Sequence, residues 1–147
     1  MPGIDECLLE AMRLPGARGA ALVDWTSGLA LGTVGESPGG DPETMAAEAA
    51  ELARLAAEHR AFAPEDDDGA DADTDAGAGG FTGGRPGQDP PVEDLIISNR
   101  DSYHVLRFVT TSFDSSVFLH LWLARAEGNL ALARIRLGEM AGRLVLG

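Results

Sequence analysis

The sequence predicts a mixed α/β (α+β) domain in which one antiparallel sheet is covered by helices on both sides. Three observations carry this. The elements run helix, hairpin, helix, three-stranded meander, helix. Two strands of the meander are apolar on both faces: Tyr103–Val109 shows Tyr103, Val105, Arg107 and Val109 on one side and His104, Leu106 and Phe108 on the other, and Val117–Leu123 is similar. Such strands belong in the middle of a sheet with cover above and below. Each helical segment also carries an apolar stripe, and 147 residues that are 44% apolar suffice for one core.

In chain order, Ile4 to Leu14 reads as a short amphipathic helix with Ile4, Cys7 and Leu8 on one side, stopped by Pro15 and Gly16. Arg18 to Asp24 and Leu29 to Val34 form a hairpin joined through Trp25, Thr26, Ser27 and Gly28. The stretch Asp41 to Arg60 is the longest helix, with Asp41 as its cap and Pro42 at the first helical position, where a missing N–H costs nothing. It carries two neighbouring stripes. Met45, Ala49, Leu52 and Ala56 are expected to dock on the sheet, and Ala46, Ala50, Ala53 and Ala57 to form a small-residue seam for a second helix. Val92–Ser98, Tyr103–Val109 and Val117–Leu123 make the meander, turned first at Asn99. Asn129 caps a last helix from Leu130 to Arg143 or Leu144, docked through Leu130, Leu137, Met140, Ala141 and Leu144.

One stretch departs from this pattern. Residues 61–91 are acidic, Gly/Ala-rich and nearly without apolar side chains, so they are expected to stay disordered as an insertion in a single domain spanning 1–147. They hold eight acids and one base, leaving 16 acids against 10 bases elsewhere, so either figure argues against nucleic acid as a partner. A calcium loop fails there, because aligning Gly69 with the invariant glycine puts Pro64 at the first ligand position and Ala72 at the ninth. GGFTGGRPG lacks the Gly-Lys-Ser/Thr of a phosphate loop. No apolar run is long enough for membrane insertion and no signal peptide is read at the start, so a cytoplasmic protein is expected. Cys7 is alone and reads as a buried small hydrophobe.

Catalytic chemistry finds no foothold. His59, His104 and His120 show no metal-ligand spacing, although His104 and His120 can meet across neighbouring strands. Ser27 has no placed histidine, and Glu93 and Asp94 alternate to opposite faces. No cofactor and no metal are therefore expected. The remaining candidate surface is the polar flank of the long helix, Glu48, Glu51, Arg54, Leu55 and Glu58, where Arg54 is spaced to pair with Glu51 and Glu58.

With this order of elements, the chain resembles the Roadblock-type dynein light-chain family, including its bacterial members that work with small Ras-like GTPases. The matching residues are Leu14-Pro15-Gly16-Ala17, the hairpin from Ala21 through Asp24-Trp25-Thr26-Ser27-Gly28 to Ala30, and Gly128-Asn129-Leu130-Ala131-Leu132-Ala133-Arg134. The resemblance implies a five-stranded antiparallel sheet with the long helix on one face and the terminal helices on the other. It implies a homodimer in which the long helices pair and the strand carrying Leu95, Ile96 and Ile97 meets its mate. It further implies a regulator or scaffold for a small GTPase, without an active site of its own. A small-molecule-sensing domain of related architecture is the alternative, and it needs a roomy apolar cavity with polar groups such as His104 or His120.

Overall fold

The computed structural model describes residues 3–65, 91–109 and 116–144. Three helices and five strands follow one another as α1 (Ile4–Ala11), β1 (Ala17–Asp24), β2 (Leu29–Gly35), α2 (Pro42–Glu58), β3 (Asp94–Ser98), β4 (Ser102–Val109), β5 (Val117–Ala124) and α3 (Leu130–Arg143). The five strands form one antiparallel sheet in the order β2-β1-β5-β4-β3. Most of the expected disordered stretch, 66–90, lies outside the described residues; at its near end a single 3-10 turn, Arg60–Phe62, follows α2.

Local chemistry places the boundaries. Asp41 accepts from the Glu43 amide at 3.2 Å and from the Thr44 hydroxyl at 2.6 Å, which satisfies the first turn of α2 behind Pro42. Asn129 does the same for α3 through the Leu132 amide at 3.0 Å. Asn99 Oδ1 gathers the Asp101 amide, the Ser102 amide and the Ser102 hydroxyl within 3.0 Å and so turns β3 into β4. Most boundaries fall within one residue of the sequence reading, but α2 ends at Glu58, two residues before Arg60, and two more differ by two residues or more. The first helix ends at Ala11 and leaves through a tight turn to Gly16, and β3 begins at Asp94.

The sheet separates two apolar layers. On one side α1 and α3 bury Cys7, Leu8, Leu137 and Met140 against Leu22, Val105, Leu119, Leu121 and Leu123. At Gly32 the helix comes so close that an added Cβ would lie 2.9 Å from Ile4 Cγ2 and 3.1 Å from Leu8 Cδ1. Cys7 is buried there, and burial pushes its thiol pKa up, so it behaves as a small hydrophobe. Ion pairs fasten the rim, with Arg143 on Glu10 at 2.9 Å and Arg134 on Asp94 at 2.8 Å.

On the other side α2 lies over Ala21, Val23, Trp25, Leu106, Phe108 and Phe118. Here the structure corrects the assignment of stripes. Ala46, Ala50, Ala53 and Ala57 are all 0% exposed within the single chain and pack in this layer, so they are closed to a second helix. Of the stripe expected to dock, Met45 and Ala49 are buried in this layer, Ala56 is half-buried and Leu52 is 41% exposed. The physical reason is steric: the sheet presents Trp25, Phe108 and Phe118, and a helix can approach side chains of that size only with a face of methyl groups.

Candidate functional site: the uncovered flank of α2 and the open sheet edge

With the alanine face down, helical geometry fixes the other three sides of α2. Ala47 lies beside Gly28 and the Arg54 guanidinium donates to the Trp25 carbonyl at 2.9 Å, so that side faces the β1–β2 turn. Arg54 therefore ties α2 to the hairpin. The opposite side carries Met45, Ala49, Leu52 and Ala56, and Met45 there meets His120 of β5. The outward side carries Glu48, Glu51, Leu55 and Glu58, all exposed, with Leu55 at 55%.

Beside that row the sheet lies partly open. Leu95 and Ile97 of β3, His104 of β4 and Trp122 of β5 are half-buried on the α2 face, while Ile96 turns to the other layer. Among the described residues β3 is an edge strand, paired with β4 only. An apolar edge with unpaired backbone groups is a template for another strand unless something covers it. Of the residues expected to form a partner surface, the structure thus brings Glu48, Glu51, Leu55 and Glu58 together outward and takes Arg54 away. Of those expected at a dimer seam, Leu95, Ile96 and Ile97 lie on the open edge and the four alanines lie inside.

A column of stacked side chains fills the floor of this open half. The Arg18 guanidinium sits 3.7 Å from the Trp122 ring centre, Trp122 stacks on His104, and His104 stacks on His120. His104 Nδ1 lies 3.1 Å from His120 Nε2, and His120 Nδ1 lies 3.1 Å from the Met45 sulfur. Both imidazoles are held below their ordinary pKa by burial, and for His120, 5% exposed, the pKa falls to about 3, with the neighbouring His104 adding to the effect. Arg18 is fixed from behind by two hydrogen bonds to the Glu36 carboxylate. Sequence reading found that His104 and His120 can meet, but Arg18, Trp122 and Met45 carried no signal of joining them. Their meeting depends on strand register and on where α2 crosses the sheet.

The crevice beside this column, between Gly19, Glu36, Pro38, Met45, His120 and Trp122, leaves no room for a water molecule. This crevice is too small for a small-molecule ligand beside His120. Among the described residues no cluster of three or more His, Cys, Asp or Glu is placed to hold a metal, and no helix is long and apolar enough to cross a membrane.

A 2-1-5-4-3 antiparallel sheet with one helix on one face and two on the other is the Roadblock/LC7 fold, and this chain has it. Solved structures with the same fold include MglB proteins. A Roadblock/LC7 domain from Streptomyces avermitilis superposes with a TM-score of 0.58 at 18% identity, over 97% of this chain and 94% of that one. The gliding protein MglB of Thermus thermophilus gives 0.60 at 17% identity over 94% and 82%. An MglB described with a tetrameric arrangement gives 0.62 at 17% identity over 95% and 82%. No family model and no curated protein matches the chain.

Proposed function

We propose that this chain is a homodimeric regulator or scaffold that binds a small Ras-like GTPase and modulates its nucleotide cycle or its localisation, with no active site of its own. The carrying observation is the half-covered α2 face beside an open β3 edge. A second copy supplies what that face lacks: its β3 extends the sheet past Leu95 and Ile97, and its α2 lies along Leu52 and Ala56. That row replaces the alanine stripe as the seam. The outward ridge with Glu48, Glu51, Leu55 and Glu58, doubled by the two-fold axis, is then the surface offered to the GTPase. The likeness to MglB structures and the resemblance to the bacterial Roadblock branch supply the class of partner. We assign the acidic insertion within 61–91 to the same single domain, and the protein to the cytoplasm.

Two measurements separate the parts. Leu52→Glu buries a carboxylate twice in the symmetric seam, at about 2 kcal/mol or more per copy, so sedimentation should show the dimer constant weakened about a thousandfold. A Leu52→Glu protein that sediments as the wild type would remove α2 from the seam. Glu51→Arg with Leu55→Ala alters only the outward ridge, and it should leave the dimer intact while cutting capture of a small GTPase at least about tenfold, as expected for loss of interface contacts. Undiminished capture would move the partner surface elsewhere.

A further inference from the structure

We propose that the His104–His120–Met45 chain is a proton-operated latch that holds the amino-terminal half of α2 on the sheet and releases it in mild acid. The hydrogen positions follow from the acceptor at the end. A thioether sulfur can only accept, so His120 Nδ1 carries a hydrogen and donates it to Met45. Neutral His120 then has a bare Nε2, which accepts from His104 Nδ1–H. That leaves the lone pair on Nε2 of His104, the half-buried member, as the point where a proton can arrive. A proton bound there passes inward by shifting the shared hydrogen from His104 Nδ1 to His120 Nε2, which puts a cation under α2.

Among the described residues nothing around that cation welcomes it. From β4 the facing titratable group is His104, and from β1 it is Arg18, also a cation, on the far side of Trp122. The one carboxylate lining the adjoining crevice, Glu36, is already engaged by Arg18 at 2.9 Å. From α2 it is Met45 that reaches the ring; Glu43 and Glu48 are exposed on other sides of the helix. Met45 also stands in the first turns of α2, where the helix dipole opposes positive charge. Hydrating the cation requires moving something, and α2 is the element that covers it through Met45. Its buried face is mostly methyl groups, and it is preceded by the turn Pro38–Gly40, in which Gly39 and Gly40 both adopt positive φ.

The sign of the pH dependence follows from linkage. A histidine whose pKa is depressed in the docked state binds fewer protons there than in the open state, so docking is complete above the ordinary value and is lost as pH falls below it. With an ordinary pKa of 6.5 and a docked value of about 3, lowering the pH from 7.5 to 5 multiplies the opening constant by about thirtyfold. Amide hydrogen exchange on the full chain reads this, after correction for the intrinsic pH dependence of exchange. Protection of the amides of Met45 to Ala50 should fall by that factor at pH 5 while β1, β4 and β5 keep theirs. In His120→Leu the response should vanish, and His120→Gln gives the same reading should the leucine variant not fold. Equal α2 protection at both pH values, an undiminished response in the variants, or parallel loss throughout the sheet would each overturn the latch. The further consequence, that acid weakens partner capture, rests on the surface proposed above. The exchange experiment uses no partner, so latch and surface can fail separately.

Discussion

Ala53→Phe is expected to damage the fold itself, with its effect on assembly secondary. Ala53 is 0% exposed, midway along the face that α2 lays on Phe108 and Phe118. A phenyl ring there has no void to enter, so either the helix moves off the sheet or the aromatic layer shifts. Overpacking of this kind costs about 1–3 kcal/mol and more where backbone must move, and the upper part of that range applies to a helix seated on methyl groups. For a domain of this size that lowers the melting temperature by roughly 2–4 °C per kcal/mol. Thermal denaturation of the chain against Leu52→Glu under one set of conditions makes the comparison. If Ala53→Phe melted like the wild type and sedimented as a monomer, the alanines would face a second chain after all, and the placement of α2 would be wrong.

This contrast also shows where reading the sequence stops. The Asp41 cap, the Asn99 turn and the Asn129 cap were legible because each acts within a few residues, and the side chain named is the one that accepts the hydrogen bonds. The alternation in Tyr103–Val109 likewise placed His104, Leu106 and Phe108 on one face. The two stripes of α2 differ by one residue, a rotation of 100°, and both satisfy helical periodicity. Hydrophobicity favours the stripe with Met45 and Leu52, of which the structure buries Met45 and Ala49 but not Leu52, while it buries the whole alanine stripe. What decides is the size of the side chains across the interface, which no local pattern records. Arg54 went astray for a related reason, since Glu51 and Glu58 are its neighbours along the helix but the Trp25 carbonyl is its partner in space. The histidine pair lies between these cases: strand alternation put both rings on one face, and only the register, with His104 opposite Trp122 and Leu106 opposite His120, brought them to 3.1 Å.

Gly19→Ala should be among the most damaging single-methyl changes in the chain. The pairing of β1 shifts between Ala17 and Gly19, and the Glu36 amide folds back onto the Arg18 carbonyl at 2.9 Å, which brings the Glu36 carbonyl against Gly19. A Cβ on Gly19 would overlap that oxygen. Backbone cannot step aside as a rotamer does, so relief comes only by opening the end of the β1–β2 hairpin. Such a collision costs about 1–3 kcal/mol, occasionally more. The same shift in pairing aims Arg18 over Trp122 and lets Glu36 fasten its guanidinium, so the damage should reach the stacked column. Gly19→Ala is therefore expected to lower the melting temperature and to change the near-ultraviolet circular dichroism of Trp122, whereas Glu36→Gln should alter the signal with little loss of stability, because its partner Arg18 is 40% exposed. A Gly19→Ala protein with wild-type stability and spectrum would mean that the β2 end yields freely, and the hairpin would no longer be the frame that positions Arg18.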